Sequence, residues 1–252
     1  MSRPEVQIGP GDTVTLDLAQ DLGDVEVVPI RGEHELWIAG RRKPGLSPVA
    51  LETLILQAGM IENGTDPSGW LLGDRNRALL AVLSTGFGAP EELWVTCPEC
   101  DQLHEVPFDV SHILNQSLAR PERLGSEVPS VSSQVRLPTG ADLEAAVGDG
   151  AVLLSICAPH ATEEVFEAEV KTRDPCAELY FALTCVACGK AFKAALDPLA
   201  LLLAELDRHG GVTAEIDMLA QAYSWTEAEL VALPAWRRRF YFRHQASERM
   251  AS

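Results

Sequence analysis

Basic residues are scarce in this chain of 252 residues, which has 20 Lys and Arg against 37 Asp and Glu and a net charge of −17. A surface this acidic repels the phosphates of DNA and RNA, which disfavours general nucleic-acid binding. The sequence lacks an apolar run close to the roughly 18 residues that a membrane-spanning helix needs, and it begins without a basic-then-apolar signal pattern. With 46% hydrophobic and 23% charged residues, we expect a folded, soluble protein of the cytoplasm.

Motifs of catalysis and nucleotide binding are absent as well. There is no G-x-S-x-G, H-E-x-x-H, P-loop or G-x-G-x-x-G pattern in a suitable context. Acidic pairs such as Glu163 and Glu164 are most simply a solvated helix face. The sequence therefore predicts no catalytic residues and a protein that is not an enzyme.

Four of the six cysteines form two C-x-x-C pairs, in CPEC and in CVAC. Their spacing favours metal binding over disulfides, because the cytoplasm keeps thiols reduced. Each pair supplies two thiolates from one tight turn, and two pairs complete the tetrahedral set that a structural Zn²⁺ site requires. Such a site has no open position for water, so we expect a cross-link and no catalysis. The predicted ligands are Cys97, Cys100, Cys185 and Cys188.

Other interpretations of the cysteines stay open at this point. The two pairs could be dithiols without a metal, or a thioredoxin-like redox pair. His104 could replace one thiolate, although Phe192 stands at the matching position of the second pair. Cys157 lies in an apolar run and Cys176 precedes a predicted strand, so both are expected to be ordinary core or boundary residues.

The two pairs lie in matching surroundings that predict an internal duplication. Cys97 and Cys185 are 88 residues apart, and the same offset relates Asp109 to Asp197. Extended apolar pieces flank each pair, which predicts two zinc-knuckle β-hairpins, that is, hairpins whose turns hold a C-x-x-C pair. The expected fold class is α+β, with surrounding helices, an N-terminal strand-rich segment and a helical C-terminus.

Composition and periodicity divide the chain further. Alternating patterns predict short strands at 13–18, 24–30 and 34–39, and Ser47-Pro48 predicts a helix over 48–61. Asp74 is expected to cap a helix that stops at Gly86. Residues 110–118 are predicted to be helical, and VRLPTG at 135–140 to form a strand and turn. The expected segments are an N-terminal β-rich segment (1–40), helices with the first knuckle (41–118), a linker (119–134), the second repeat (135–208) and a helical tail (209–252).

The predicted C-terminal tail is amphipathic and basic. A leucine stripe from Leu199 to Leu206 predicts a helix, and Thr226 with Glu229 predicts a capping box for another. Residues 234–252 contain five Arg and one Glu, which could dock on an acidic partner or on the acidic body of the protein itself. The residues predicted to bind a partner are Trp236, Arg237, Arg238, Arg239 and Phe240.

Five segments, in order, carry a resemblance to a known family. They are GDRNRALLAV (73–82), LWVTCPECDQLHEVPFDV (93–110), VRLPTGADLEA (135–145), DPCAELYFALTCVACGKAF (174–192) and EIDMLAQAYSWTEAELVALPAWRRRFYF (215–242). Together they resemble the T-even phage baseplate hub assembly proteins and their relatives in contractile phage tails and extracellular contractile injection systems. The chain departs from that family at Asp217, where a histidine is usual, and at Val186, where proline is common.

The resemblance implies a non-enzymatic role in building the hub or baseplate of a contractile tail. The protein would act as a chaperone that leaves or as a minor component that stays with the particle. Hub or spike proteins would be its partners, with no role for nucleic acid or a membrane.

Two other functions compete with this one. A zinc-ribbon regulator or nucleic-acid binder should carry a basic stripe around the knuckles, whereas CPECDQLHE is acidic. A dithiol oxidoreductase should place its C-x-x-C at a helix N-terminus, whereas both pairs here lie between extended segments.

Overall fold

The computed structural model describes residues 8–19, 22–58, 60–62, 65–115 and 135–251. It has the mixed α+β class predicted from the sequence. The predicted linker 119–134 lies outside the described residues. The strands are β1 (Val14–Asp17), β2 (Asp24–Val27), β3 (Ile61–Glu62), β4 (Glu92–Thr96), β5 (Leu103–Pro107), β6 (Tyr180–Thr184) and β7 (Ala191–Ala195). The helices are α1 (Gly32–Arg41), α2 (Pro48–Leu56), α3 (Leu72–Phe87), α4 (Val110–Leu114), α5 (Gly140–Ala146), α6 (Gly150–Cys157), α7 (Glu163–Arg173), α8 (Pro198–Leu206), α9 (Gly211–Tyr223), α10 (Glu227–Ala232) and α11 (Ala235–Ala251).

The N-terminal region contains a small antiparallel sheet in the order β1-β2-β3, with α1 and α2 between β2 and β3 in the chain. Strands at two of the three predicted positions are confirmed, but the strand predicted at 34–39 is wrong because those residues belong to α1. Glu35 and Ile38 are buried on one face of that helix. The carboxylate of Glu35 pairs with Arg238, 203 residues away, so a tertiary contact decides the local structure.

Helices α2 and α3 start and end differently from the predictions. Ser47 caps α2 as expected, since its Oγ accepts from the backbone N–H of Ala50 at 3.1 Å. The helix ends at Leu56 rather than 61, because Ile61 pairs with Val27 in the sheet. The predicted cap of α3 is wrong. Asp74 lies inside its first turn, where its carboxylate accepts from the backbone N–H of Ala19.

Helix α3 forms the centre of the main hydrophobic core. Its residues from Ala78 to Leu83 are at most 1% exposed. The helix packs against α8, α4, α2, α11 and the first two strands. It ends at Phe87, and Gly88 closes it with a φ of 84°, two residues beyond the predicted stop at Gly86. The helix therefore connects the N-terminal sheet to the rest of the molecule.

The strand predicted at 135–140 is absent, and the segment serves to start α5 instead. Only Thr139 forms an isolated bridge, to Leu71. Thr139 and Asp142 form a capping box at the start of α5, and the Arg136 guanidinium pairs with Asp142 at 2.6 Å. The polar side chains of this segment are thus engaged in helix capping, while Val135 and Leu137 are buried.

The C-terminal helices confirm most of the predicted pattern. Leu199, Leu202 and Leu206 are buried in the core from one face of α8. Thr226 and Glu229 form the predicted capping box of α10, with Glu229 Oε2 accepting from the Thr226 N–H at 2.9 Å. Among the helices in the described part of the chain, none is both long enough and apolar enough to cross a membrane.

Candidate metal centre

Two short hairpins, β4–β5 and β6–β7, hold the cysteine pairs. Both have five-residue strands, and their registers match at an offset of 88, with Trp94 opposite Glu105 and Ala182 opposite Lys193. The hairpins face each other through two ring contacts. His104 and Phe192 have centroids 5.9 Å apart, and Phe108 and Phe181 meet edge to face at 6.3 Å. The matching geometry accords with the predicted duplication, which stays a prediction.

Each hairpin is held on the body by an aspartate that follows it. Asp109 caps α4 by accepting from the Ser111 N–H at 2.9 Å, and Asp197 caps α8 by accepting from the Ala200 N–H at 3.0 Å. Both helices pack on α3. The two aspartates, which the offset of 88 residues relates, thus have the same role. Each caps the helix that follows its hairpin.

The two C-x-x-C turns have the same backbone. The N–H of Cys97 donates to the carbonyl of Gln102, and that of Cys185 donates to the carbonyl of Lys190, both at 2.9 Å. The residue after the second cysteine has a positive φ in each turn, 58° at Asp101 and 73° at Gly189. Aspartate and glycine are among the residues that tolerate this conformation, which folds the turn so that both sulfurs of a pair point the same way.

The four predicted ligand sulfurs come together. The Sγ atoms of Cys97, Cys100, Cys185 and Cys188 all lie within 4.8 Å of one another. Two separations between the hairpins are 3.8 Å, from Cys97 to Cys188, and 3.6 Å, from Cys100 to Cys185. A tetrahedron with Zn–S bonds of about 2.3 Å has edges of about 3.8 Å, so these two separations match those of such an ion. None of the four is in a disulfide.

The electrostatics of the group differ from one thiol to another. Backbone N–H groups of Cys188 and Ala187 lower the pKa of the Cys185 thiol to about 6. The N–H of Gln102 also stabilises a Cys100 thiolate, but the neighbouring thiols, Cys185 above all, outweigh it and raise the pKa of Cys100 to about 12. The Cys185 thiol therefore ionises readily near neutral pH, whereas the Cys100 thiol stays protonated. A divalent cation allows all four to be thiolates together.

His104 lies beside the group and is not one of its four members. The His104 side chain contributes to the lowered pKa of the Cys185 thiol. Its Nε2 is buried without a hydrogen-bond partner among the described residues. The arrangement agrees with the expectation that four thiolates, rather than three and a histidine, form the site.

The two remaining cysteines are core residues, as predicted. Cys157 is buried in a small cluster with Val135, Ala158 and Phe166. Cys176 is buried beside α3, where Asn76 donates to its carbonyl at 2.9 Å.

The predicted partner-binding residues separate into two groups. Arg238 and Arg239 are buried and paired with Glu215, at 2.8 and 3.0 Å from their respective Nε atoms. They also pair with Glu35 and Glu205, respectively. This corrects the prediction for these two arginines, which dock α11 on the acidic body of the protein itself. Trp236, Arg237 and Phe240 are exposed, and their partner role stays a prediction.

A second buried ionic group, which the sequence did not reveal, lies where α3 meets the segment before β6. The carboxylates of Asp74 and Asp174 are at most 1% exposed, and Arg77 pairs with Asp74 at 3.3 Å. Burial raises the pKa of each aspartate to about 6. No local signal marks Asp174, because its contact with α3 joins residues 101 positions apart.

Comparison with protein-family models, curated proteins and solved structures found no match to this chain. The geometry of the four sulfurs therefore supports a metal site without help from any relative.

Proposed function

We propose that this protein is a non-enzymatic assembly protein of a phage-like contractile tail or injection system, cross-linked internally by one Zn²⁺. The observation that carries the metal part is the four-sulfur group, whose spacing suits a tetrahedral ion. The assembly part rests on the sequence resemblance over residues 73–242. It is compatible with the exposed aromatic and basic side chains on the outside of α11.

The four cysteines would hold the ion, two from each hairpin. Zinc with four thiolates supplies cross-linking and no redox or hydrolytic chemistry. The protein itself supplies the four sulfurs and fixes their positions. The backbone donors of the CVAC turn stabilise the Cys185 thiolate, and the helices capped by Asp109 and Asp197 hold the hairpins in register.

A rigid centre of this kind suits a protein that must offer an unchanging surface to a partner. Trp236, Arg237 and Phe240 would form the contact with a hub or spike subunit, through a helix-in-groove interaction. The competing functions have less support. Both cysteine pairs lie in hairpin turns rather than at a helix N-terminus, as an oxidoreductase would require. The first hairpin carries Glu92, Glu99 and Glu105, which would repel nucleic acid.

The test combines metal analysis with capture from the native host. Tagged full-length protein should retain about one zinc per chain and should co-purify with hub or spike subunits. A Trp236→Ala/Phe240→Ala variant should keep its zinc and lose those subunits. Its matched control is Leu103→Ala, which changes an exposed apolar residue of the first hairpin. Iron in place of zinc would overturn the metal assignment. Recovery of nucleic acid or a redox partner would overturn the assembly role.

A further inference from the structure

A cleft of about 1080 Å³ lies beside the second hairpin, between α7, α4 and the start of α3. Its walls include Phe108, Phe166, Phe181 and Leu196, which are buried or half-buried. None of the four clustered cysteines lines it. The cleft is thus a separate concavity with an apolar floor, of the size that receives several large side chains.

The rim of the cleft is acidic. Exposed carboxylates line it at Asp109, Glu164, Glu167 and Glu178, against exposed ammonium groups at Lys171 and Lys193. The ammonium of Lys193 also lies over the ring of Tyr180, 4.3 Å from its centroid. An apolar floor with a negative rim is complementary to an amphipathic segment that carries aromatic and positively charged side chains.

The outer face of α11 has that chemistry. Trp236 and Phe240 are 36% and 60% exposed. Arg237 and Arg243 are exposed beside them at helical spacing. The opposite side of the helix is buried through Arg238 and Phe242, so the outer face is held rigidly outward. None of the residues that line the cleft belongs to α11.

We propose that the outer face of α11 docks in this cleft of a second copy of the chain. Phe240 and Trp236 would cover the apolar floor, and Arg237 and Arg243 would meet the carboxylates of the rim. The contact joins two different surfaces, so each copy keeps one free cleft and one free helix. Association is therefore head to tail and continues beyond a dimer unless a ring closes.

The same α11 face serves the proposed hub contact, so the two contacts exclude each other. Self-association is measured without any hub subunit. Its failure therefore leaves the proposed function standing, and failure to capture a hub subunit leaves the self-association standing.

The experiment is sedimentation velocity on the full-length, metal-loaded protein over a range of concentrations. Wild type should form dimers and larger species as concentration rises. Phe240→Asp blocks the helix and Glu167→Arg blocks the cleft, so each variant alone should be monomeric. Mixed together, they should form a one-to-one dimer that does not grow, because one intact helix and one intact cleft remain. Both changes are at exposed positions, and circular dichroism checks that each variant is folded.

Matched controls use exposed positions away from both surfaces. Leu103→Asp and Glu144→Arg introduce the same kinds of change and should associate like wild type. A wild-type protein that stays monomeric throughout would overturn the proposal. So would association that the two blocking variants leave intact, or a mixture of them that stays monomeric.

Discussion

Gly73 and Asp174 are 101 residues apart in the chain, yet the backbone N–H of Gly73 donates to Asp174 Oδ2 at 2.9 Å. The approach is so close that a Cβ on residue 73 would overlap Oδ1 and Cγ of the same carboxylate. Glycine is needed here for space and not for its backbone conformation. The contact attaches the segment before the second hairpin to α3.

Replacing Gly73 with alanine should therefore lower the free energy of unfolding. The added methyl group forces the carboxylate away, and the combined cost of overpacking and the lost hydrogen bond is about 2–4 kcal/mol. Urea unfolding measures it. The control is Gly40→Ala at an exposed position of α1, where an added Cβ meets nothing within 4 Å and stability should be unchanged or slightly higher. Equal stability of the two variants would contradict the close approach.

The buried aspartates should make stability depend on pH. Burial raises the pKa of Asp174 to about 6, so the folded state holds a proton that the unfolded chain releases near pH 4. The contribution of this group to stability is complete below about pH 4 and falls as pH rises through about 6. Asp174→Asn removes the titration while keeping an acceptor for the Gly73 N–H. The variant should therefore gain stability relative to wild type by about 1 kcal/mol between about pH 5 and about pH 7.5.

This measurement compares wild type with Asp174→Asn at each pH, so the pH dependence of metal binding cancels. The stability of Asp74→Asn relative to wild type should change with pH in the same direction, because burial raises the pKa of Asp74 to about 6 as well. A difference in stability between wild type and each variant that stays constant with pH would show that these carboxyls titrate normally.

Local patterns in the sequence were enough to predict the cluster of four cysteines but not the ionic contacts. The C-x-x-C spacing and the positions of Asp109 and Asp197 are short-range features, and turns and caps follow from short-range chemistry. The prediction of a strand at 34–39 was wrong because it used short-range features where a long-range contact matters. Glu35 looks like a solvent-facing residue of a strand until Arg238, far along the chain, is known to pair with it. The arginines of α11 were assigned to a partner because no local signal revealed their buried glutamates.

The buried glutamate Glu215 should be the most sensitive position of the α11 contact. It is fully buried and accepts from both Arg238 and Arg239. Glu215→Gln leaves two buried guanidinium groups without their shared carboxylate, which should cost about 3 kcal/mol. Chemical denaturation of this variant beside Glu144→Gln, an exposed glutamate, provides the comparison. Equal unfolding midpoints for the two would refute a central role for Glu215.

Loss of the metal should destabilise the whole protein. In Cys185→Ser the proposed Zn²⁺ site lacks one thiolate, and several kcal/mol of binding free energy is unrealised. At about 2–4 °C per kcal/mol for a chain of this size, Tm should fall by about 10 °C. A strong chelator should lower the Tm of wild type similarly and change the variant little. Cys157→Ser, outside the cluster, should retain its zinc, and an unchanged Tm in Cys185→Ser would rule out a structural metal.

The cross-hairpin sulfur pairs also decide what happens when the backbone is broken. Cys97 meets Cys188 and Cys100 meets Cys185, so an ion held by all four closes the intervening chain into a loop. A single protease cut between Cys100 and Asp174 would yield two fragments that still share the ion, and the Gly73 and Asp174 contact would join them a second time. The nicked protein should migrate as one species in its native state and separate when a chelator and denaturant are added.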